Sequence, residues 1–319
     1  MTQGARPGVP RRSLIAGLVA VVLPATGCGI RLEDDAPRLP LLPTRTPVPA
    51  EAELAALTRD TASLAELAAT VTGALAADLV ILHRRQHTVL RTTLLSMQVP
   101  AADLAAPASA GPTGTPSASG ASPSATASPV VGRRELAAAE GASAASAATF
   151  AGVEPDLRAT VASLHAQRYA AATLLAGRPP TVPLDPVGGD RVGALATSTS
   201  AAVYFLEVVS ARSAGAQRAR SDTTLSALSA LLADQRAGGA RPGAPLGHPL
   251  PFPVDDAAAA ARLARETLTT LRAGYGEHLE PLVTSDGGGG LAALTRWLGA
   301  VEVEAYRWGV DLAPFPGLA

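Results

Sequence analysis

Glu51-Ala52-Glu53-Leu54-Ala55-Ala56-Leu57 opens a stretch that runs on to Leu64-Ala65-Glu66-Leu67 and Val71. Leu54, Leu57, Leu64, Leu67 and Val71 recur at the spacing of one face of a helix, which predicts an amphipathic helix over about 51–73. Gly73 breaks it. Leu75, Leu79, Leu82, Leu90 and Leu94 carry the same period to about Met97, and Pro100 ends that second helix. The pattern resumes over Arg134–Ala151 and again over Asp156–Ala176, through Leu157, Val161, Leu164 and Leu174, until Gly177 and Pro179-Pro180 stop it. Two helices, a long connection and two more helices is the order of a four-helix bundle with a crossover, the ferritin-like plan.

Composition agrees with an all-α chain. Only 3% of the residues are aromatic, so the core must be built from Leu, Val and Ala. Ala and Leu are strong helix formers, and β-branched runs are few. The 26 basic and 27 acidic residues nearly balance, which leaves no electrostatic footprint for nucleic acid. Every basic residue is Arg, and the single cysteine excludes a disulfide within the chain.

After a linker from Pro179 to Gly189 the helical period returns, and 319 residues have room for a second domain at about 150 residues each. Helices are expected over about 190–217, from Asp222 to Gly238-Gly239, from Asp255-Asp256 toward Leu279, and over 291–310. Pro281 should stop the third, and Gly287–Gly290 should be a flexible joint before the fourth. The expectation is therefore two tandem four-helix bundles, 51–178 and 189–319.

The N-terminus reads as an export signal. Residues 1–12 carry Arg6, Arg11 and Arg12 and no acid, and Ser13 to Leu23 is apolar but shorter than the ~20 residues of a membrane span. Leu23-Pro24-Ala25-Thr26-Gly27-Cys28 then resembles the lipobox of bacterial lipoproteins, in which the cysteine thiol is acylated. This reading makes 1–28 a lipoprotein signal peptide, Cys28 the lipid-attachment site, and the membrane a partner through that anchor. Residues 29–50 form a Pro-rich tether that favours extended polyproline II. Residues 101–132, rich in Ser, Thr, Ala, Pro and Gly, are expected to be a disordered loop inside the first bundle.

One group of residues invites a metal reading. His83 and His87 stand at i and i+4 on one helix, the spacing of two metal ligands. Glu66, Glu140 and His165 lie on the first, third and fourth helices of the same block. A di-metal bundle needs Glu-x-x-His on two helices, and here Val80 and Ala162 precede His83 and His165 by three residues. The other reading leaves His83 and His87 partly exposed, beside Arg84 and Arg85, which oppose a cation. No phosphate loop, nucleophile elbow or cysteine pair accompanies them.

Ala201-Ala202-Val203-Tyr204, Pro249-Leu250-Pro251-Phe252-Pro253-Val254, Arg307-Trp308 and Phe315-Pro316-Gly317 together resemble an actinobacterial ferritin-like domain family of unknown function, over about 190–319. The resemblance implies a C-terminal ferritin-like domain in an exported lipoprotein. It also implies Glu-His where this chain has Thr199-Ser200, and a His where Gln217 stands. Those replacements remove the side chains best suited to iron or zinc. The function expected is a non-catalytic binding or structural role at the cell envelope, with an envelope protein as partner and no cofactor. The alternative is a metal-binding or di-metal redox bundle holding iron, manganese or zinc.

Overall fold

The computed structural model of the chain describes residues 45–105, 129–183, 187, 190–241, 247–285 and 287–318. The expected signal peptide with Cys28, the expected tether up to residue 44, and residues 106–128 of the expected loop lie outside the described residues. The elements are α1 (Glu51–Ala69), α2 (Ala74–Ser96), α3 (Pro129–Ala145), a 3₁₀ turn (Ala147–Gly152), α4 (Pro155–Ala176), α5 (Asp190–Ala211), α6 (Gly215–Ala237), α7 (Ala257–Glu277), α8 (Leu279–Ser285) and α9 (Gly287–Arg307). No strand occurs among the described residues, so the chain is all-α there.

The helix ends follow local chemistry. Glu51 and Glu53 sit in the first turn of α1, where carboxylates favour the positive end of the helix. Pro155 occupies the start of α4 and Gly177, at φ 73°, takes the left-handed position that ends it. Asp256 caps α7, its Oδ1 accepting from the Ala259 N–H at 2.7 Å. Helix α5 is long and apolar enough to cross a membrane by length and composition; in the fold it packs on α6 and α7.

Several boundaries differ from the expectation. Helix α3 begins at Pro129 rather than Arg134, because proline suits a first turn, so the expected loop 101–132 ends earlier. Helix α6 begins at Gly215, not Asp222. Its first turns are exposed, so no apolar period marks them, and Arg218 pairs with Asp222 one turn on at 2.9 Å. Helix α7 ends at Glu277, before Pro281 as expected, but Pro281 then lies in the first turn of a further short helix, α8, where its missing N–H is not needed. The glycines 287–290 are the start of α9 instead of a joint. A Cβ on Gly290 would lie 2.7 Å from the Leu282 carbonyl oxygen, so glycine lets α9 begin against α8.

The larger departure concerns the two bundles. Helix α4, from the first half, packs most extensively on α9, from the last. A Cβ on Gly299 of α9 would come within 2.6 Å of the Tyr169 ring and 2.8 Å of the Ala166 carbonyl oxygen. That glycine, facing the alanines of α4, allows the close approach. One apolar core contains Leu54 and Leu94 from the first half together with Leu206, Leu268 and Leu298 from the second. Residues 47–319 form one compact unit, so the expected boundary at 178–189 divides the sequence but not the core.

The tail after α9 crosses this unit. Gln86 on α2 donates to the Pro314 carbonyl at 2.5 Å, and Ser163 on α4 donates to the Pro316 carbonyl at 2.6 Å. Arg272 on α7 donates to the Asp311 carbonyl at 3.1 Å. Gly317 (φ 81°) lies directly on Gly276 of α7, with no space for a Cβ on Gly276. The Phe315-Pro316-Gly317 motif is thus a strap over both halves.

Candidate functional site

Helix α4 is buried on nearly every side, and it carries one arginine in the middle. Arg168 is fully buried, and the elements around it supply its partners. Its Nη2 donates to Thr61 Oγ1 on α1 at 3.1 Å. Its Nη1 pairs with Glu140 Oε2 on α3 at 3.4 Å and donates to His83 Nδ1 on α2. A guanidinium only donates, so Nδ1 is the acceptor and the ring proton sits on Nε2. From there it donates to Glu140 Oε1 at 2.6 Å. Gln86 extends the cluster, its Nε2 donating to Gln167 Oε1 at 3.2 Å.

The charges close on themselves. One guanidinium faces one carboxylate, with a neutral imidazole between them. Burial, then Arg168, hold the His83 pKa below its ordinary value, although Glu140 pulls the other way. His165 lies one turn before Arg168. Its Nδ1–H donates to the Ser143 carbonyl at 2.8 Å and its ring lies 5.0 Å from that of Phe150. Burial and then Arg168 lower its pKa to about 3.

The structure therefore brings together His83 and Glu140 of the sequence candidates, with His165 one turn away on α4. It separates the other two. Glu66 is exposed on α1, and His87 is half-buried, where partial burial and then Arg91 lower its pKa. His83 corrects the reading of partly exposed histidines, because it has no exposed surface. Among the described residues no group of three or more His, Cys, Asp and Glu side chains is placed to hold a metal ion. A structural zinc needs four donors. Here His83 and Glu140 are spent on each other, and a guanidinium lies where a cation would face them both. As placed, His83 and Glu140 do not offer the donor set of a structural zinc.

Arg168, Thr61 and Gln167 were missed in the sequence. The signal for Arg168 was available: beyond its first turns α4 is mostly apolar or small, and an arginine in the middle of such a helix, once buried, needs a partner.

The C-terminal half repeats the pattern with uncharged groups. Thr199, where the resemblance implies a metal ligand, bonds the Tyr275 hydroxyl at 2.8 Å, and Gln235 donates to the same hydroxyl at 2.6 Å. Burial raises the Tyr275 pKa, so it stays a phenol. Gln217 bonds elsewhere, to Ser213 Oγ at 3.0 Å and the Ala257 carbonyl at 2.8 Å. Glu302 and Glu304 point to different partners, Arg272 at 3.0 Å and Thr224 at 2.7 Å. Comparison with known protein families, with curated proteins and with solved structures finds no match to the chain.

Proposed function

We propose that the protein is a lipid-anchored module of the cell envelope that acts by binding or scaffolding rather than by catalysis, with an envelope protein as its partner. The observation that carries this reading is the sealed Arg168 cluster. The convergence of His83, Glu140 and Arg168 is fully buried and pairs one guanidinium with one carboxylate, so it presents no side chain at the surface to a substrate. Buried polar networks of this kind specify one packing of the helices around them. The helical content and the four short motifs of the second half support a ferritin-like ancestry in which no resident metal is kept. The anchor rests on Cys28 and the apolar run before it. Lipoproteins carry more than one acyl chain, which makes the attachment stable.

Cell fractionation tests the anchor. The native chain partitions with membranes and takes up labelled fatty acid, whereas Cys28→Ala moves it to the soluble fraction and abolishes the label. A Cys28→Ala protein that stays in the membrane fraction would overturn the reading.

A further inference from the structure

The connector that follows α4 separates two clefts, and Pro179, Pro180 and Thr181 line both. On one side the arginines are neutralised: Arg296 pairs with Asp234, and Arg307 pairs with Glu304 at 2.6 Å. On the other side they are not. That second cleft, of about 590 Å³, lies between α3 and the end of α4 and is lined by Arg133, Arg134 and Arg178 with no acidic residue among the described residues. Arg133 is fixed in place. Its Nε donates to the Leu175 carbonyl at 2.9 Å and its Nη2 to the Leu174 carbonyl at 3.2 Å. Arg134 and Arg178 are exposed and have no hydrogen-bond or ion-pair partner among the described residues.

The floor is of a different kind. Ala137, Ala138, Gly141 and Ala172 are small, and Leu175 and Pro180 add an apolar wall. Gly141 brings Pro180 close, since a Cβ there would lie 3.3 Å from the Pro180 Cβ. The cleft therefore joins a cationic mouth to an apolar floor, in the size range of small-molecule sites. Guanidinium groups pair with phosphate and carboxylate oxygens through parallel N–H donors. Three cations without a counter-charge among the described residues match a phosphate, which carries up to about two charges, better than a single carboxylate.

We propose that this cleft binds a phosphate ester, the phosphate held at Arg134 and Arg178 with Arg133 behind them, and the organic part laid on the alanine floor. The site does not depend on the lipid anchor, so its failure and that of the anchor are read in separate experiments. The test is calorimetric titration of the full chain carrying Cys28→Ser. Two probes are used at low salt: glycerol 3-phosphate, and dihexanoyl phosphatidylglycerol below its micelle concentration. Binding of the first identifies a soluble ester, and binding of the second alone a lipid headgroup. In either case the affinity falls about tenfold for each arginine removed in Arg134→Gln and Arg178→Gln, and falls again as salt is raised. Both side chains are exposed, so these variants fold, and circular dichroism verifies it. No binding of either probe, or binding that the double variant leaves unchanged, overturns the proposal.

Discussion

His165 is a neutral base kept dry by Phe150 and the helices around it, and its pKa of about 3 lies well below the 6.5 expected of an unfolded chain. Below pH 6.5 the unfolded chain binds a proton that the folded protein refuses. Stability is therefore complete above that pH and falls as pH drops from about 6.5 toward 3, at up to about 1.4 kcal/mol per pH unit for this residue. His83 shifts in the same direction, for the same causes of burial and Arg168. Denaturant midpoints measured between pH 7 and pH 4 should fall steadily in the native protein. In His165→Gln the fall is shallower by that residue's share, and an unchanged slope would contradict the burial assigned to His165. At this scale the sequence was only partly legible. His83, Glu140 and His165 could be singled out by residue type, but the spacing of His83 and His87 pointed to ligands, whereas the fold turns His83 inward and leaves His87 half-buried and apart from it. What organises the cluster is Arg168, which residue type alone marks as a surface group.

Among the elements, the strap is the most exposed to test. Its backbone is held by Gln86, Ser163 and Arg272, and the Ala313 N–H donates to Glu302 Oε1 at 2.6 Å. Gly276 and Gly317 meet with no space for a side chain between them. Gly276→Ala sits in a helix, where alanine is the better residue by about 1 kcal/mol, so on propensity alone it would stabilise α7. The contact predicts the opposite: a loss of about 1–3 kcal/mol from overpacking, seen as a lower denaturant midpoint. Protease cleavage after Arg307 should also quicken as the strap lifts. A stabilised Gly276→Ala protein would mean that the strap is not seated. The helices themselves were readable from their leucines, within a few residues at most ends. The misread ends share a physical cause. Gly287–Gly290 and Pro281 are breakers by composition, yet at a first helical turn they are tolerated or even required. The first turns of α6 carry no apolar period because they are largely exposed.

For the molecule as a whole, what periodicity could not supply was the partner of each helix. A four-helix order predicts that neighbours in sequence pack together, and α1 with α2, α3 with α4 and α5 with α6 do so. The pairing of α4 with α9 depends on Gly299 against Tyr169 and on the alanines of α4, contacts between residues some 130 positions apart that no local pattern encodes. The result is a main core shared by both halves beside a smaller cluster of first-half residues, with an arginine, a glutamate and a histidine paired in the buried interior. Removing one member of such a buried pair costs about 3–5 kcal/mol, which makes the cluster a structural commitment of the fold. The measurement that tests this most directly is the metal content of the full chain carrying Cys28→Ser, purified without a histidine tag after growth with iron, manganese and zinc. The account predicts far less than one equivalent of any metal in a protein that is helical and unfolds cooperatively. A stoichiometric metal that disappears in His83→Ala would contradict it, since Arg168 could not then occupy the place assigned to it.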